Sequence, residues 1–312
     1  MGLNVGVIGA GSMGMNHIRI LSKMRDIKLV GVTDINKDTL DIVKSTYDVP
    51  VYCKINELID IGLDAVIIAV PTSLHRDIAM IAIEHGIHLL IEKPIAKNLF
   101  EAEEIINASN QKNVKLMIGH IERFNPIIPA IKDAISKEKI ISIAITRVGP
   151  FPPRVKDVGV IIDLGVHDID LIHFLTDSEY MEINCYIFNN FSKYEDTAIL
   201  TFKMANGVVA YITTNWITPF KNRTIEIATT KKYIKGDFIT MQAKEYSGFE
   251  QSDKSYIVNG LNTKIGEPLQ KELEAFISSI KNNTEPPVTG YDGFYALEIA
   301  LKCLENAGIN TY

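Results

Sequence analysis

The sequence predicts an α/β fold: an N-terminal doubly wound parallel (Rossmann-type) sheet, followed by an α+β domain with a largely antiparallel sheet. Three observations predict it. Short apolar runs alternate with helical patterns over the first 120 residues, as strand–helix–strand units do. A glycine-rich turn closes the first of these runs. Beyond residue 120 the pattern changes to strands in succession, with Asn206-Gly207 as a hairpin signal. The 312 residues suit two domains, 1–120 and 121–312, with the closing helices able to pack back on the first.

The opening stretch organises the first domain. Val5 to Ile8 reads as a strand buried on both faces. Gly9, Gly11 and Gly14 follow at G-x-G-x-x-G spacing, and Ser12 to Met24 reads as a helix. Gly9 permits the tight turn, Gly11 lets the backbone approach a pyrophosphate, and Gly14 lets helix and strand pack closely. Residues Gly9, Ala10, Gly11, Ser12, Met13 and Gly14 therefore form a candidate phosphate cradle at a helix N-terminus. A second strand, Ile27 to Thr33, leads into Asp34, twenty residues past Gly14, where an acid accepts bonds from the adenosine ribose. Asp34 is alternatively a turn or helix-cap acid. A 2′-phosphate about 4 Å from it would meet repulsion of about 1–4 kcal/mol, which favours NAD over NADP. Lys37 nearby softens that preference.

The remaining elements follow in order. Asn36 to Thr46 reads as a helix, Val49 to Tyr52 as a strand, and Asn56 as the cap of a helical turn. Asp64 to Val70 is a buried strand ending at Pro71-Thr72-Ser73, and a helix from Leu74 to His85 is closed by Gly86. His88 to Ile91 ends in Glu92-Lys93-Pro94; Asn98 caps a helix over Leu99 to Lys112; Lys115 to Ile118 is the sixth strand. Ligands bind at the carboxyl ends of such strands. One rim should therefore hold Gly9 to Gly14, Asp34, Pro71 to His75, Lys93 and His120. In the second half, Pro126 to Ser136 is a helix. Strands are expected over 140–148, 182–189, 195–204, 208–216 and 223–229, with weaker ones at 233–234, 238–245 and 255–258. Helices are expected at Ile161 to Leu175, Pro268 to Lys281 and Tyr291 to Ala307. The aliphatic and aromatic outer face of this sheet suits pairing with a second copy, as a homodimer or homotetramer.

Composition narrows the function. Hydrophobic residues make up 46% and charged residues 22%, enough for a sizeable core. The net charge is −6 and the lysines are scattered, which excludes a basic nucleic-acid surface. Cys53, Cys185 and Cys303 stand at no metal-ligand spacing, and their odd count argues against a disulfide framework. They read as buried thiols, and no metal is expected. No apolar run reaches the ~18 residues of a membrane span, and no signal-peptide pattern opens the chain. A cytoplasmic enzyme acting on a small molecule is the expectation.

Two constellations carry chemistry. Lys93 leaves a buried strand on the ligand rim, and the proline after it restricts its backbone. A Lys–Pro bond is among the few that adopt cis at modest cost. Asp163 and His167, four apart on a helix, share a face, with Leu164, Ile169, Leu171 and Ile172 on the others. They read as the one polar stripe on that helix, and Gly165 between them lets a group approach closely. Oxidising a secondary alcohol needs a base for the hydroxyl proton beside a hydride acceptor; Lys93 or His167 can serve. Asp163 can hold a neighbouring hydroxyl. Asp170, one turn on, reads as a supporting partner. Arg123 suits a phosphate or hydroxyl clamp and equally a salt bridge; with Asn125 it is a candidate substrate contact.

These residues together resemble the GFO/IDH/MocA family of sugar and inositol oxidoreductases. The resemblance runs the whole length. It is carried by the early G-x-G-x-x-G, Pro-Thr-Ser-Leu-His at Pro71 to His75, Glu92-Lys93-Pro94, and D-x-G-x-H-x-x-D at Asp163 to Asp170. It implies that Lys93, Asp163 and His167 form the catalytic set, and that Pro71, Thr72, His75 and Glu92 contact the cofactor. The stretch Gly119-His-Ile-Glu-Arg-Phe-Asn-Pro126 resembles members acting on nucleotide-linked sugars, such as UDP-N-acetylglucosamine 3-dehydrogenases. Dehydrogenation of a free sugar or inositol, NAD-dependent glycoside hydrolysis with transient oxidation, and a non-catalytic dinucleotide sensor are the alternatives.

Overall fold

The computed structural model describes residues 2–152, 158–190 and 192–309. The chain divides into two compact units: Met1–Ile121 with Glu267–Phe294, and Glu122–Gly266 with Tyr295–Tyr312. The first unit thus takes in residues well beyond 120.

In the first unit the alternation expected from sequence is present. It runs β1 (Leu3–Ile8), α1 (Ser12–Leu21), β2 (Ile27–Thr33), α2 (Lys37–Tyr47), β3 (Val51–Tyr52), α3 (Ile55–Ile59), β4 (Ala65–Ile68), α4 (His75–Glu84), β5 (His88–Glu92), α5 (Leu99–Gln111) and β6 (Leu116–Gly119). All six strands pair in parallel, in the order β3-β2-β1-β4-β5-β6. Val5, Val7, Val66, Ile67, Leu90 and Ile91 are fully buried, as a sheet covered on both faces requires. Asn36 and Asn98 cap α2 and α5 through their side chains, as expected. Asn56 does not cap: α3 starts one residue earlier, after Lys54, with no side-chain cap.

In the second unit, α6 (Ile127–Ile135) precedes β7 (Ile140–Pro150). A single π-helical turn, Ile161–Gly165, then runs into α7 (Val166–Thr176). The strands β8 (Tyr180–Phe188), β9 (Thr197–Met204), β10 (Val209–Asn215), β11 (Ile217–Thr229), β12 (Lys232–Asp237), β13 (Gln242–Glu250) and β14 (Ser255–Gly260) follow. They form one eight-stranded sheet in the order β14-β13-β12-β11-β7-β10-β9-β8. Every pair is antiparallel except β7 with β10. The three strands that read weakly are thus full members, and β11 starts earlier than expected. Gly207 turns the expected hairpin with φ +86°. On the inner face, register aligns the buried residues Ala210, Ile143 and Ile227, then Ile212, Ile145 and Ile225. The next inner row is polar: Thr214, Arg147 and Arg223.

Two helices close the chain, α8 (Pro268–Lys281) and α9 (Gly290–Asn306). Within the first unit α8 packs on α1. It buries Glu272 completely, and both carboxyl oxygens lack a hydrogen-bond partner. Burial, and then the charge of Glu92, push this carboxyl well above the usual glutamate range. The folded chain therefore holds this proton more tightly than the unfolded chain does. The associated stability is complete below the ordinary glutamate range and is lost as pH rises. Glu272→Gln mimics the protonated acid. Thermal melts should match wild type near about pH 4 and exceed it by a few degrees near about pH 8. A gap independent of pH would show that Glu272 is ionised in the fold.

Candidate active site

The glycine turn is built as its spacing requires. Gly9 has φ +92°, and a Cβ there would lie 2.6 Å from the Ala69 carbonyl oxygen. A Cβ on Gly14 would lie 1.9 Å from the Gly9 carbonyl oxygen, so helix and turn meet there with no room for a side chain. Gly11 differs: a Cβ would meet nothing within 4 Å. Gly11 is the N-cap of α1, and no side chain caps that terminus. An uncapped helix start beside an open glycine fits a dinucleotide pyrophosphate. Ala10 is buried, Ser12 exposed and Met13 half-buried.

Asp34 follows β2 and accepts hydrogen bonds from the backbone N–H groups of Ala10 (2.7 Å) and Asn36 (2.8 Å). It is thus a turn acid that ties the glycine loop to its neighbour. An ionised carboxylate has about four acceptor positions, so capacity for ribose hydroxyls remains. After β4, Pro71 is exposed and Thr72 half-buried, in a single 3₁₀ turn over Thr72–Leu74. A groove of about 780 Å³ in this unit, lined by Arg19, Lys23 and Glu267, lies toward the other end of α1.

Lys93 is half-buried directly after β5, and the Lys93–Pro94 peptide is cis. Two residues expected to touch the cofactor brace this corner from inside. His75 is buried, and its ring nitrogens lie 2.9 Å from the Pro94 carbonyl oxygen and 3.0 Å from that of Val70. Burial pushes its imidazole down toward the neutral ring, which has one N–H to donate. Glu92 is buried 2.8 Å from His17 Nε2. Burial opposes its charge, but His17, then Lys93 and His75, outweigh this and hold it below the ordinary glutamate range. His120, expected on the rim, is likewise buried. His17 carries no motif that marks it; it falls one helical turn past Met13 and Gly14, facing the sheet.

In the second unit the helix bearing Asp163 and His167 begins with the π turn. The Val166 N–H reaches back to the Ile161 carbonyl, five residues away. Such turns are rare and concentrate at functional sites. A π turn takes more than four residues to come round, so Asp163 and His167 stay within one turn of each other. Asp163 is buried and His167 half-buried. The turn starts against Glu195, which accepts from the Ile161 N–H at 3.1 Å. Gly159 makes this possible, since a Cβ there would fall within 2.0 Å of the Glu195 carboxyl carbon. Gly165 answers to no such crowding: a Cβ would come no nearer than 3.7 Å to its neighbours.

The helix is less apolar than its sequence suggests. Asp168 and Asp170 are both buried, so Asp163 and His167 are not its sole polar stripe. Asp168 accepts from Arg147 Nε (2.9 Å) and Nη2 (2.7 Å), and Arg147 Nη1 donates to Glu122 at 2.6 Å. Burial disfavours the Arg147 charge, but Asp168 and Glu122 outweigh it and hold the proton more firmly than usual. Asp170 accepts from Arg123 Nε (2.7 Å) and Nη2 (2.6 Å). Of the two roles open to Arg123, the salt bridge is therefore formed. Asn125 is also committed to its own unit: its amide donates to the Phe238 carbonyl at 3.1 Å. Arg147 was legible in principle, as a charge in the inward register of Ile143 and Ile145. Cys185 and Cys303 are buried thiols, with Cys185 pushed up to about 12 by burial, whereas Cys53 is exposed, against expectation. Among the described residues no His, Cys, Asp or Glu cluster could hold a metal, and no helix is long and apolar enough to cross a membrane.

A dinucleotide edge on one unit, and an acid–imidazole helix on the other, define an oxidoreductase. The chain belongs to the GFO/IDH/MocA family. Residues 3–120 match its "Oxidoreductase family, NAD-binding Rossmann fold" domain and residues 142–235 its C-terminal domain. It is 27% identical to the UDP-N-acetylglucosamine 3-dehydrogenase of Acidithiobacillus ferrooxidans, over 96% of each chain. The solved structure of that enzyme superposes with a TM-score of 0.91, covering 97% of this chain and 96% of the other. The myo-inositol 2-dehydrogenase of Thermotoga maritima is 26% identical, over 95% of this chain and 93% of its own. A levoglucosan dehydrogenase in complex with NADH, 21% identical, shares the fold with a TM-score of 0.89 over 99% and 97% of the two chains.

The glycine geometry separates folding from binding. Gly14→Ala should lose about 1–3 kcal/mol of stability from overpacking against Gly9. Gly11→Ala should melt like wild type yet weaken dinucleotide affinity by about tenfold, read by quenching of protein fluorescence. Equal melting losses in both variants would refute this division.

Proposed function

We propose that the protein transfers a hydride between a secondary hydroxyl of a sugar and nicotinamide. The leading substrate class is a nucleotide-activated sugar, such as UDP-N-acetylglucosamine oxidised at C3. Free sugars and inositol are the second reading, because inositol dehydrogenases stand nearly as near in sequence. The observation that carries the proposal is the position of Lys93. It sits half-buried at the carboxyl end of β5, in the same parallel sheet whose β1 opens into the glycine turn.

NAD supplies the hydride acceptor when bound; the chain supplies position and proton handling. Gly9, Ala10, Gly11, Ser12, Met13 and Gly14 cradle the phosphates. Asp34 accepts from the ribose and disfavours a 2′-phosphate, so NAD is preferred to NADP. Pro71 and Thr72 line the edge beyond β4, and His75 and Glu92 set the corner that presents Lys93. Lys93 takes the hydroxyl proton, His167 shares or relays it, and Asp163 holds a neighbouring hydroxyl so that the ring is oriented for transfer.

A second copy of the chain is the proposed partner on the outer sheet face. Exposed Tyr186 and Ile199 are register neighbours there, with Val209 and Tyr211 exposed on β10. A cytoplasmic location fits thiols kept without disulfides.

Lys93→Met should reduce turnover by a factor of at least about 10³, a loss of about 4 kcal/mol in transition-state stabilisation, with NAD affinity within about threefold of wild type. Absorbance of NADH with a panel of free and UDP-linked sugars, beside calorimetric NAD binding, reads both quantities. Unchanged turnover would refute the role of Lys93. Sugar release without net NADH would favour the hydrolase alternative.

A further inference from the structure

Three arginines of this unit lie among the carboxylates of Glu122, Asp168 and Asp170, and they are not equivalent. Arg123 and Arg147 are buried, and each forks onto an aspartate of α7. Arg223 lies on β11, directly across the ladder from Arg147. Its side chain is 35% exposed, and its nearest carboxylate oxygen among the described residues is that of Glu122, 3.8 Å away. That same oxygen already accepts from Arg147 at 2.6 Å. Arg223 thus has like charge beside it and, among the described residues, no carboxylate at hydrogen-bonding distance. At the other end of the row, the Thr214 hydroxyl is fully buried with no hydrogen-bond partner. A polar row that leaves one guanidinium open and one hydroxyl unmatched is incomplete as a structural network.

We propose that Arg223 is a specificity-determining residue that binds an anionic group of the substrate, a phosphate or diphosphate ester attached to the sugar. This rests on the sugar-oxidoreductase reading above and deepens it. The reasons are chemical. A guanidinium presents a planar fork that matches two phosphate oxygens. An anion placed there would also offset the repulsion between Arg223 and Arg147, which a neutral hydroxyl does far less well. Burial and then Arg147 disfavour the Arg223 charge, and Glu122, Asp168 and Asp163 only partly restore it, leaving it below the usual arginine range. Arg123, the arginine that the sequence suggests for a phosphate, has its fork filled by Asp170.

The test compares wild type, Arg223→Ala and Arg223→Lys with saturating NAD, using UDP-N-acetylglucosamine and free N-acetylglucosamine. UDP binding is measured separately by calorimetry. Arg223→Ala should raise KM for the UDP-linked sugar by about ten- to a hundredfold, far more than for the free sugar, while kcat falls much less. UDP affinity should drop by a similar factor, and Arg223→Lys should recover part of both. The wild-type affinity for UDP should weaken with added salt, and that dependence should diminish in Arg223→Ala. Equal KM changes for both sugars, or unaltered UDP affinity, would overturn the proposal. So would a wild-type enzyme that oxidises only neutral sugars and binds no UDP, although hydride transfer would then stand. Conversely, a Lys93→Met enzyme that still turns over would sink the catalytic reading, while loss of UDP binding in Arg223→Ala would still support the anion site. If Arg223→Ala fails to fold, Arg223→Gln keeps the side-chain volume and gives the same reading.

Discussion

The ion pairs that fasten α7 are the constraint on which the candidate site depends. Arg147 is 1% exposed and reaches both Asp168 on the helix and Glu122 at the head of the same unit. Removing one partner of such a pair leaves a charge buried without compensation, a loss of about 3–5 kcal/mol. The attachment therefore tolerates little drift. Arg123 adds a second fork one step along, on Asp170. With Asp168 and Asp170 turned inward and clamped, the preceding π turn is held as well. Asp163, buried, and His167, half-buried, lie on that turn and the start of α7. Glu195 and Gly159 secure the other end of the turn.

The first unit reaches the same end by different means. There the backbone is the functional group, and glycine is the device. Contact between Gly14 and the Gly9 carbonyl locks helix against turn, while the open space at Gly11 leaves the helix N-terminus approachable. Asp34 holds the loop through its backbone, not by side-chain packing. The corner bearing Lys93 is braced by two buried side chains, His75 and Glu92, whose hydrogen bonds run to the protein interior. Rigid support lies underneath, and the exposed surface is left for ligand. Precise placement of a reacting group needs that arrangement.

Much of this was legible in the sequence. Buried parallel strands are near-continuous apolar runs, so β1, β2, β4 and β5 stand out, and the glycine spacing located the turn between β1 and α1. The alternation of Ile143, Ile145, Ile225 and Ile227 exposed the second sheet in the same way. What escaped was whatever depends on partners distant in sequence. Asp170 read as a supporting partner, but Asp168 drew no notice, and no local rule reveals the arginines on other elements that the two aspartates meet. For Glu92 and His75 the motifs suggest ligand contact, and the protein partners they also have, on α1 and at the Pro94 corner, left no local signal. The π turn left no mark, and the Glu195 carboxylate that meets its first N–H lies 34 residues away in sequence. Asn56 misled because a capping residue was at hand two positions past the actual N-cap, Lys54, and the helix starts at Ile55.

Lys93 and His167 are proposed to serve a single hydroxyl of one bound sugar. A crystal structure of the chain with NADH and the substrate sugar tests it most directly. The account predicts Lys93 Nζ and a ring nitrogen of His167 both within about 3.2 Å of the same hydroxyl oxygen, with Asp163 on its neighbour. Two nitrogens facing separate cavities, with the sugar touching neither, would contradict it.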